Sequence, residues 1–531
     1  MTDTSKARVT GPPDRPEDQS DVIAFLGSPS THGADVDKVD LIETHGALVF
    51  LAGSRVYKLK RAVKLSYMDF SSLEKRAAAC RHEIDRNQAA APDTYIGVSA
   101  IVRRDNGELA LGGAGAPVDW VVVMNRFDQA DLFDDLARRG ELPLSLMPIL
   151  AGKIADYHDS ARTFPTVDGD CRLANTITRI IIALLEARDC LDTDRVQIYA
   201  RRITAELDTH SSLLRSRSQD GLVRLCHGDL HLKNIVIHDG RPTLIDAIEF
   251  DDRIATIDVL YDLAFLLMDL WHRDLRAHAN LCFSSYVSQA VPTEALGGLA
   301  ALPLFLSVRA AIRAMVAIDK LAVTTGKNRP LDLDEIDEYV ALALHFLDSR
   351  QPVLIAIGGL SGTGKTTVSS ALAPDIGGAP GALHLRSDVE RKRLAGVSPL
   401  VRLPREAYSK SASDKVYRRL CDRAEGALLA GHSVIVDAVF QQDVERRRIE
   451  QVASSAHAPF FGIWLEAPEH QLIQRVSCRQ QDASDADSAV VQQQIARKTT
   501  VARWAHVDAS GDPNAVAVRV QSALRNRLGE S

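Results

Sequence analysis

Cysteine is scarce in this chain of 531 residues: Cys80, Cys171, Cys190, Cys226, Cys282, Cys421 and Cys478 are odd in number, widely scattered and include no CxxC pair. That excludes a disulfide framework and a structural zinc site, and a reducing cytoplasm is the simplest setting. Uncharged runs such as the one between Glu294 and Arg309 stop short of the roughly 18 to 20 apolar residues that a bilayer span needs, so no membrane helix is expected. The first 20 residues lack the apolar core of a secretory signal and, rich in Pro and Asp, read as a disordered lead-in. Internal repeats and low-complexity tracts are absent.

What is present is ordinary for a folded chain, with 46% hydrophobic and 25% charged residues. At about 150 residues per domain the length implies three to four compact units, or two large ones with sub-lobes. The net charge of −7 is unevenly spread. Residues 351–531 hold 23 Lys and Arg against 19 Asp and Glu, whereas residues 1–350 hold 40 against 51. An acidic front disfavours a general binder of nucleic-acid backbone, and a mildly basic back suits a segment that answers phosphates.

Three patterns follow one another. Between about 41 and 127 short strands surround one helix: LVFLAG and RVYKLK flank Gly53 and Ser54, a hairpin signal, and Ser71 with Glu74 forms a capping box for a helix to about Ala90. VDWVVVM (118–124) reads as a buried strand, after which NRFDQADLFDDL changes to helical spacing; this second lobe runs to about Leu347. From Pro352 the apolar strands VLIAIGG, LHL, SVIVD and FFGIWLE alternate with helices, which means a parallel sheet covered on both faces. The expected domains are 21–348, α+β and bilobal, and 351–531, α/β, abutting across a short junction.

The acidic half contains HGDLHLKN (227–234) and, after IVIHDG, the segment TLIDAIEF with Asp246 and Glu249. A hairpin turning at Asp239 and Gly240 sets Asn234 and Asp246 side by side at its open end. Asp229, five residues before Asn234, stands where it can accept the proton of an attacking hydroxyl. Phosphoryl transfer needs such a set: one Asp for the nucleophile, and an Asn and an Asp on Mg²⁺. In VYKLK, Lys58 and Lys60 share a strand face, and Glu83 lies on the helix beside the stripe Leu73, Ala77, Cys80 and Ile84. A lysine held by a helix glutamate grips nucleotide phosphates; Lys58 is preferred and Lys60 stays open.

On these motifs residues 41–347 resemble the aminoglycoside phosphotransferase branch of the protein-kinase-like fold, which uses HGDxxxxN and IDxxE. The resemblance implies Asp229 as the catalytic aspartate, Asn234 and Asp246 as magnesium ligands, and Asp258 and Asp262 as braces from the following helix. It departs from kinases in lacking a GxGxxG before the lysine strand, since THGAL (44–48) has a single glycine. Members of that branch act on sugars, choline and other alcohols. Asp128, Asp131, Asp134, Asp135, Asp251 and Asp252 form an acidic set that suits a cationic acceptor or a plain solvated face, while Arg309 and Arg313 suit an anionic one.

The basic half holds the strongest signal. GLSGTGKT satisfies GxxxxGK[ST], with a buried strand before it and the helix TTVSSALA after it. Gly359, Ser361, Gly362, Thr363, Gly364, Lys365, Thr366 and Thr367 are expected to cradle the phosphates, Lys365 reaching the β and γ oxygens and Thr366 joining Mg²⁺. Asp388 and Arg391, after LHLR, suit a general base beside a guanidinium, and Asp437, which ends SVIVD, suits either a water-mediated Mg²⁺ contact or a share in acceptor binding. Arg475 and Arg479, four apart, look like lid arginines, whereas Arg446, Arg447 and Arg448 read as a solvated face.

Residues 353–528 resemble the AAA-type small-molecule P-loop kinases, and the chain after residue 20 resembles a bacterial fusion of the two families. The function expected from this is a two-site ATP- and Mg²⁺-dependent phosphotransferase acting on hydroxyl groups of small, sugar-like or amino-sugar-like molecules, cytoplasmic, without membrane or nucleic-acid partners. Two rival readings are a regulatory protein whose P-loop half only binds or hydrolyses ATP, and a nucleic-acid end-processing kinase. Acceptor identity, oligomeric state and ATP against GTP are not legible.

Overall fold

The computed structural model describes residues 17–44, 46–64, 68–166, 168–187, 191–323, 329–478, 483–497, 501 and 503–528. It divides into two compact units, Met1–Glu141 with Leu225–Ile257, and Leu142–Arg224 with Asp258–Ser531.

In the first unit six antiparallel strands are ordered β1 (Val39–Glu43), β2 (Ala47–Ala52), β3 (Arg55–Lys60), β6 (Ala116–Asn125), β4 (Tyr95–Arg103) and β5 (Leu109–Leu111). Strand alternation decides what each face carries. Tyr57 and Leu59 of β3 turn toward helix α1 (Ser20–Gly27), where Val22 and Leu26 pack on Leu48, Phe50, Leu59, Ile101 and Val121. Val56 turns the other way, toward Cys80 of helix α2 (Leu73–Asn87), and the same face carries Lys58 and Lys60. The expected lead-in is part of this lobe from Glu17 onward: Gln19 is buried, with its amide on Lys60 O and Asp119, and Glu17 pairs with Arg76 at 2.7 Å. The cap of α2 is Ser72, not Ser71; Ser72 accepts from the Lys75 N–H, while Ser71 is occupied with Asp69.

The hairpin forms in the expected register, Ile235 to Leu244 through His238 to Arg241. Its turn residues, Asp239 at φ +48° and Gly240 at φ +71°, are both left-handed, as a two-residue turn matching strand twist requires.

The second unit holds the helical lobe and the α/β segment together. The parallel strands Leu383–Arg386, Val434–Asp437, Leu354–Gly359, Phe460–Glu466 and Ala505–Asp508 lie in that spatial order, the last not anticipated from the sequence. Ile355, Ile357 and Ile463 bury one face against Val368 and Leu372 of the helix Lys365–Leu372 and against Val516, Val520 and Leu524. The helical lobe meets this segment through buried polar contacts. Asn280 donates to Pro380 O and Ala382 O, His432 meets Leu299 O, and Arg423 donates to Val287 O and Val291 O. The compact units therefore do not follow the linear boundary near 348–351.

An 18-residue window of the helical run Thr293–Asp319 has a mean hydropathy of 1.8, so this one helix among the described residues is long and apolar enough to cross a membrane by length and composition alone. The helix is longer than its uncharged core because it accepts charge: Arg309 is buried over the Tyr261 and Phe265 rings and donates to Tyr261 O. Of that apolar window, 72% is buried within the protein.

Candidate active sites

The first site lies wholly in the first unit. Lys58 Nζ is 2.9 Å from Glu83 Oε1 and 2.6 Å from Asp246 Oδ1. Lys60, fully buried, bonds Glu83 Oε2 at 2.5 Å and also Glu249. Glu83 is thus the shared anion, and the two lysines are separated by their second partners. Asp246 is half exposed, with 47% of its side chain accessible, and Glu249 is buried. Burial opposes every charge here, and the partners outweigh it. Asp246, Glu83 and Glu249 hold Lys58 well above its ordinary value, and Glu249 with Glu83 raises Lys60. Lys58 and Lys60 hold Glu83 below the usual carboxylate range, and Lys58 does the same for Asp246.

Helix α2 organises the loops around these groups. Asn87 accepts from Ala247 N at 2.8 Å and donates to Glu83 O; His82 meets Glu249 O at 2.5 Å; Arg86 donates to Ile248 O, Leu225 O and Cys226 O. Asp246 sits at φ +60°, a left-handed conformation that Asp tolerates better than most residues, and its N–H donates to the Tyr95 hydroxyl at 3.0 Å. In the HGD segment His227 Nε2 meets Ile245 O at 2.9 Å and Nδ1 accepts from Asp229 N. Gly228, at φ +85°, leaves room where a Cβ would stand 2.9 Å from Ile248 Cδ1. Asn234 Nδ2 donates to Asp229 O and Oδ2, both at 2.9 Å, and Ile245 N donates to Asn234 O, which sets Asn234 at the open end of the hairpin.

Four of the six acidic residues are engaged by near neighbours in sequence, and Asp252 meets His82 at 3.2 Å. Asp134 and Asp135 pair with Arg138, Asp251 pairs with Arg253, and Asp128 caps a short turn at Ala130 N. In the second unit Asp258 forms a two-pronged bond with buried Arg217 and Asp262 meets His158 at 3.1 Å.

The second site forms at the carboxyl ends of the parallel strands. Gly359 (φ +143°) and Gly362 (φ +88°) let the loop pass where a Cβ would stand 2.7 Å from Leu465 O and Leu472 O, and Gly364 (φ +85°) caps the helix beginning at Lys365. Thr363 Oγ1 and Lys365 Nζ donate to Leu360 O, and Ser361 is held by Gln494 at 2.8 Å. Thr366 Oγ1 donates to Asp437 Oδ2 at 2.5 Å. Burial raises Asp437, but His384, 3.7 Å away, and Lys365 pull it below the ordinary value. Burial pushes Asp388 up, and the negative Asp437 adds to this.

Ser361, Gly362, Gly364, Lys365, Thr366, Thr367, Asp388, Arg391 and Asp437 all line one cavity of about 1530 Å³. Arg391 stacks over the Tyr408 ring and donates to Ala407 O. Sequence reasoning missed the clamp on the far wall: Asp485 receives buried Lys392 at 2.7 Å, the Leu403 N–H and the Tyr408 hydroxyl. The only signal was the polar run QQDASDAD.

Two arginine expectations are corrected. Arg475 does not line the cavity; it donates to Gly362 O, Ala509 O and Gly511 O, because its helix Glu469–Ser477 lies against the loop and its guanidinium meets carbonyls first. Arg446 is buried, bonding Phe440 O and Gln441 O at the cavity edge, while Arg447 and Arg448 are exposed as expected. Arg479 lies outside the described residues.

A lysine held by a helix glutamate against a hairpin aspartate, and a glycine loop ahead of a helix at a parallel-sheet edge, define nucleotide-using phosphotransferase folds. Residues 133–286 match the model of the "Phosphotransferase enzyme family" and residues 354–501 that of the "AAA domain". One chain thus carries a phosphotransferase-family segment and a P-loop segment, with the α+β kinase-like fold in front and the α/β P-loop fold behind, and the two together make it a phosphotransferase. An uncharacterized protein of Mycobacterium tuberculosis is 26% identical over 481 residues, 89% of this chain and 93% of its own. Among solved structures, a choline/ethanolamine kinase family protein from Mesorhizobium loti is 15% identical, with a TM-score of 0.38 over 62% of this chain and 94% of its own. A gluconokinase from Sinorhizobium meliloti is 20% identical, with a TM-score of 0.24 over 34% of this chain and 98% of its own.

Proposed function

We propose that the chain is a cytoplasmic two-site phosphotransferase that moves the γ-phosphoryl group of ATP to hydroxyl groups of small molecules, sugar-like or amino-sugar-like. The observation that carries this reading is that each half brings together its own phosphate-gripping and proton-accepting groups, in the second half around a cavity of about 1530 Å³.

In the first site Lys58, fixed by Glu83, grips the nucleotide phosphates and Asp229 accepts the proton of the attacking hydroxyl. Lys60 is the structural partner that keeps Glu83 ionised. In the second, the loop amides and Lys365 hold the phosphates, Asp388 accepts the acceptor proton and Arg391 steadies the acceptor. The raised value of Asp388 suits a base, since it makes the carboxylate a better proton acceptor.

Both sets fit a hard divalent cation by their donor chemistry. Asp246 is a half-open, ionised carboxylate and Asn234, whose NH₂ is spent on Asp229, keeps its amide oxygen; Thr366 and Asp437 already stand in contact. Mg²⁺ bound there supplies charge neutralisation on the phosphates.

The test is to give ATP and a metabolite pool to the wild type, Asp229→Ala and Lys365→Ala, and to find phosphorylated products by mass spectrometry. Each substitution is expected to remove its own set of products. If the wild type makes no phosphorylated product, or if both substituted proteins still make every product of the wild type, the reading is overturned.

A further inference from the structure

The helix Ser387–Leu394 has two faces with different business. Asp388 and Arg391, three apart, line the cavity of the second site. Glu390 and Arg393, also three apart, face away from it, into the junction with the helical lobe. Glu390 is buried at 3% exposure among three guanidiniums, two of which also feel the charge of Glu294. Arg419 Nε lies 3.1 Å from Glu390, Arg423 Nε 3.8 Å and Arg393 Nη1 3.9 Å.

Arg423 carries the connection onward. It is fully buried on the helix Lys410–Leu429, and its two terminal nitrogens donate to Val287 O and Val291 O, both at 2.9 Å. Those carbonyls end the helical-lobe helix Arg276–Ala290, where the helix dipole favours a cation. Arg393 Nη2 reaches the same Val291 O at 3.4 Å. Burial, with the neighbouring Arg393, pulls Arg423 down to about 10, and Glu390 and Glu294 oppose that shift.

We propose that Glu390 and Arg423 are positioning residues for the second site: they tie the helix bearing Asp388 and Arg391 to the end of a helical-lobe helix, so that the acceptor side is held by side-chain bonds across the junction, whereas the described hydrogen bonds of the phosphate loop stay within the P-loop segment. This rests on the reading of the P-loop half as a kinase. The loop side has its own supports in Asp437, Gln494, Arg475 and the Val439 carbonyl, none of them in the helical lobe.

The experiment compares full-length wild type, Glu390→Gln, Arg423→Lys and Lys365→Ala by hydrogen exchange and by binding of a fluorescent ATP analogue. In Glu390→Gln and Arg423→Lys, amide exchange over 387–397 is expected to rise about tenfold or more, while exchange over 359–372 and analogue affinity stay within about twofold. With the acceptor returned by the metabolite screen, KM for the acceptor rises and KM for ATP holds. Unchanged exchange over 387–397, or an equal rise through the whole P-loop segment, overturns the proposal. If Glu390→Gln does not fold, Arg423→Lys, which keeps the charge, decides by the same comparison. Because the first site still takes the analogue, Lys365→Ala is expected to reduce its stoichiometry from two per chain to one; a stoichiometry left unchanged counts against the kinase reading of the P-loop half itself, separately from the helix.

Discussion

Lys58 and Lys60 stand two residues apart on one strand face, and removing either should give an opposite phenotype. Lys58 joins Glu83 to a half-open aspartate, so Lys58→Met is expected to lower first-site kcat/KM by about a hundredfold with little change in stability. Lys60 is sealed between Glu83 and Glu249; Lys60→Met leaves Glu249 buried without its lysine and Glu83 with Lys58 alone, and should cost about 3–5 kcal/mol in urea unfolding. The pH dependence follows from Glu83, whose folded value lies below its ordinary 4.5. A depressed carboxylate contributes stability that is fully present above the unfolded value and is lost as pH falls through the folded one. Unfolding midpoints should therefore fall on acidification below about pH 4.5, and Glu83→Gln, itself less stable, should show a shallower fall. Sequence alone could not separate the lysines, because an i, i+2 pair shares its face. The distinction comes from Glu249, which reaches Lys60 only through the folded loop held by Arg86, Asn87 and His82.

At the scale of elements, the hairpin and the glycine loop were legible because both are local. The Asp239–Gly240 turn fixes register through backbone dihedrals, and GxxxxGKT marks a strand, turn and helix within a dozen residues. The order of the parallel strands and the fate of Arg475 were not legible, since both depend on which segments meet in space. A guanidinium at helical spacing reads the same whether it faces phosphate or, as here, three backbone carbonyls. The glycines carry a graded prediction. Gly362→Ala puts a Cβ 2.7 Å from Leu472 O at φ +88° and should abolish binding of an ATP analogue at the second site. Gly240→Ala meets open space at φ +71° and should cost only about 1 kcal/mol, with first-site turnover retained.

For the molecule as a whole, the question is whether a nucleotide in the P-loop segment is felt by the helical lobe that shares its compact unit. Asn280, His432 and Arg423 are buried, and each spends its hydrogen bonds across the junction, so separating the two parts would strand all three. An unmade buried hydrogen bond costs about 1–3 kcal/mol, more for a charged group, which makes opening of the junction comparable to unfolding either part alone. Ligand binding to the folded state should then stabilise both parts together, by about 2.7 kcal/mol at a hundred times Kd. In hydrogen exchange, saturating ATP is expected to protect 276–290 as well as 359–372, and Lys365→Ala should remove both effects. Protection confined to 359–372 would mean that the junction opens at a lower cost than its buried groups imply, and that the lobes share a surface without sharing stability.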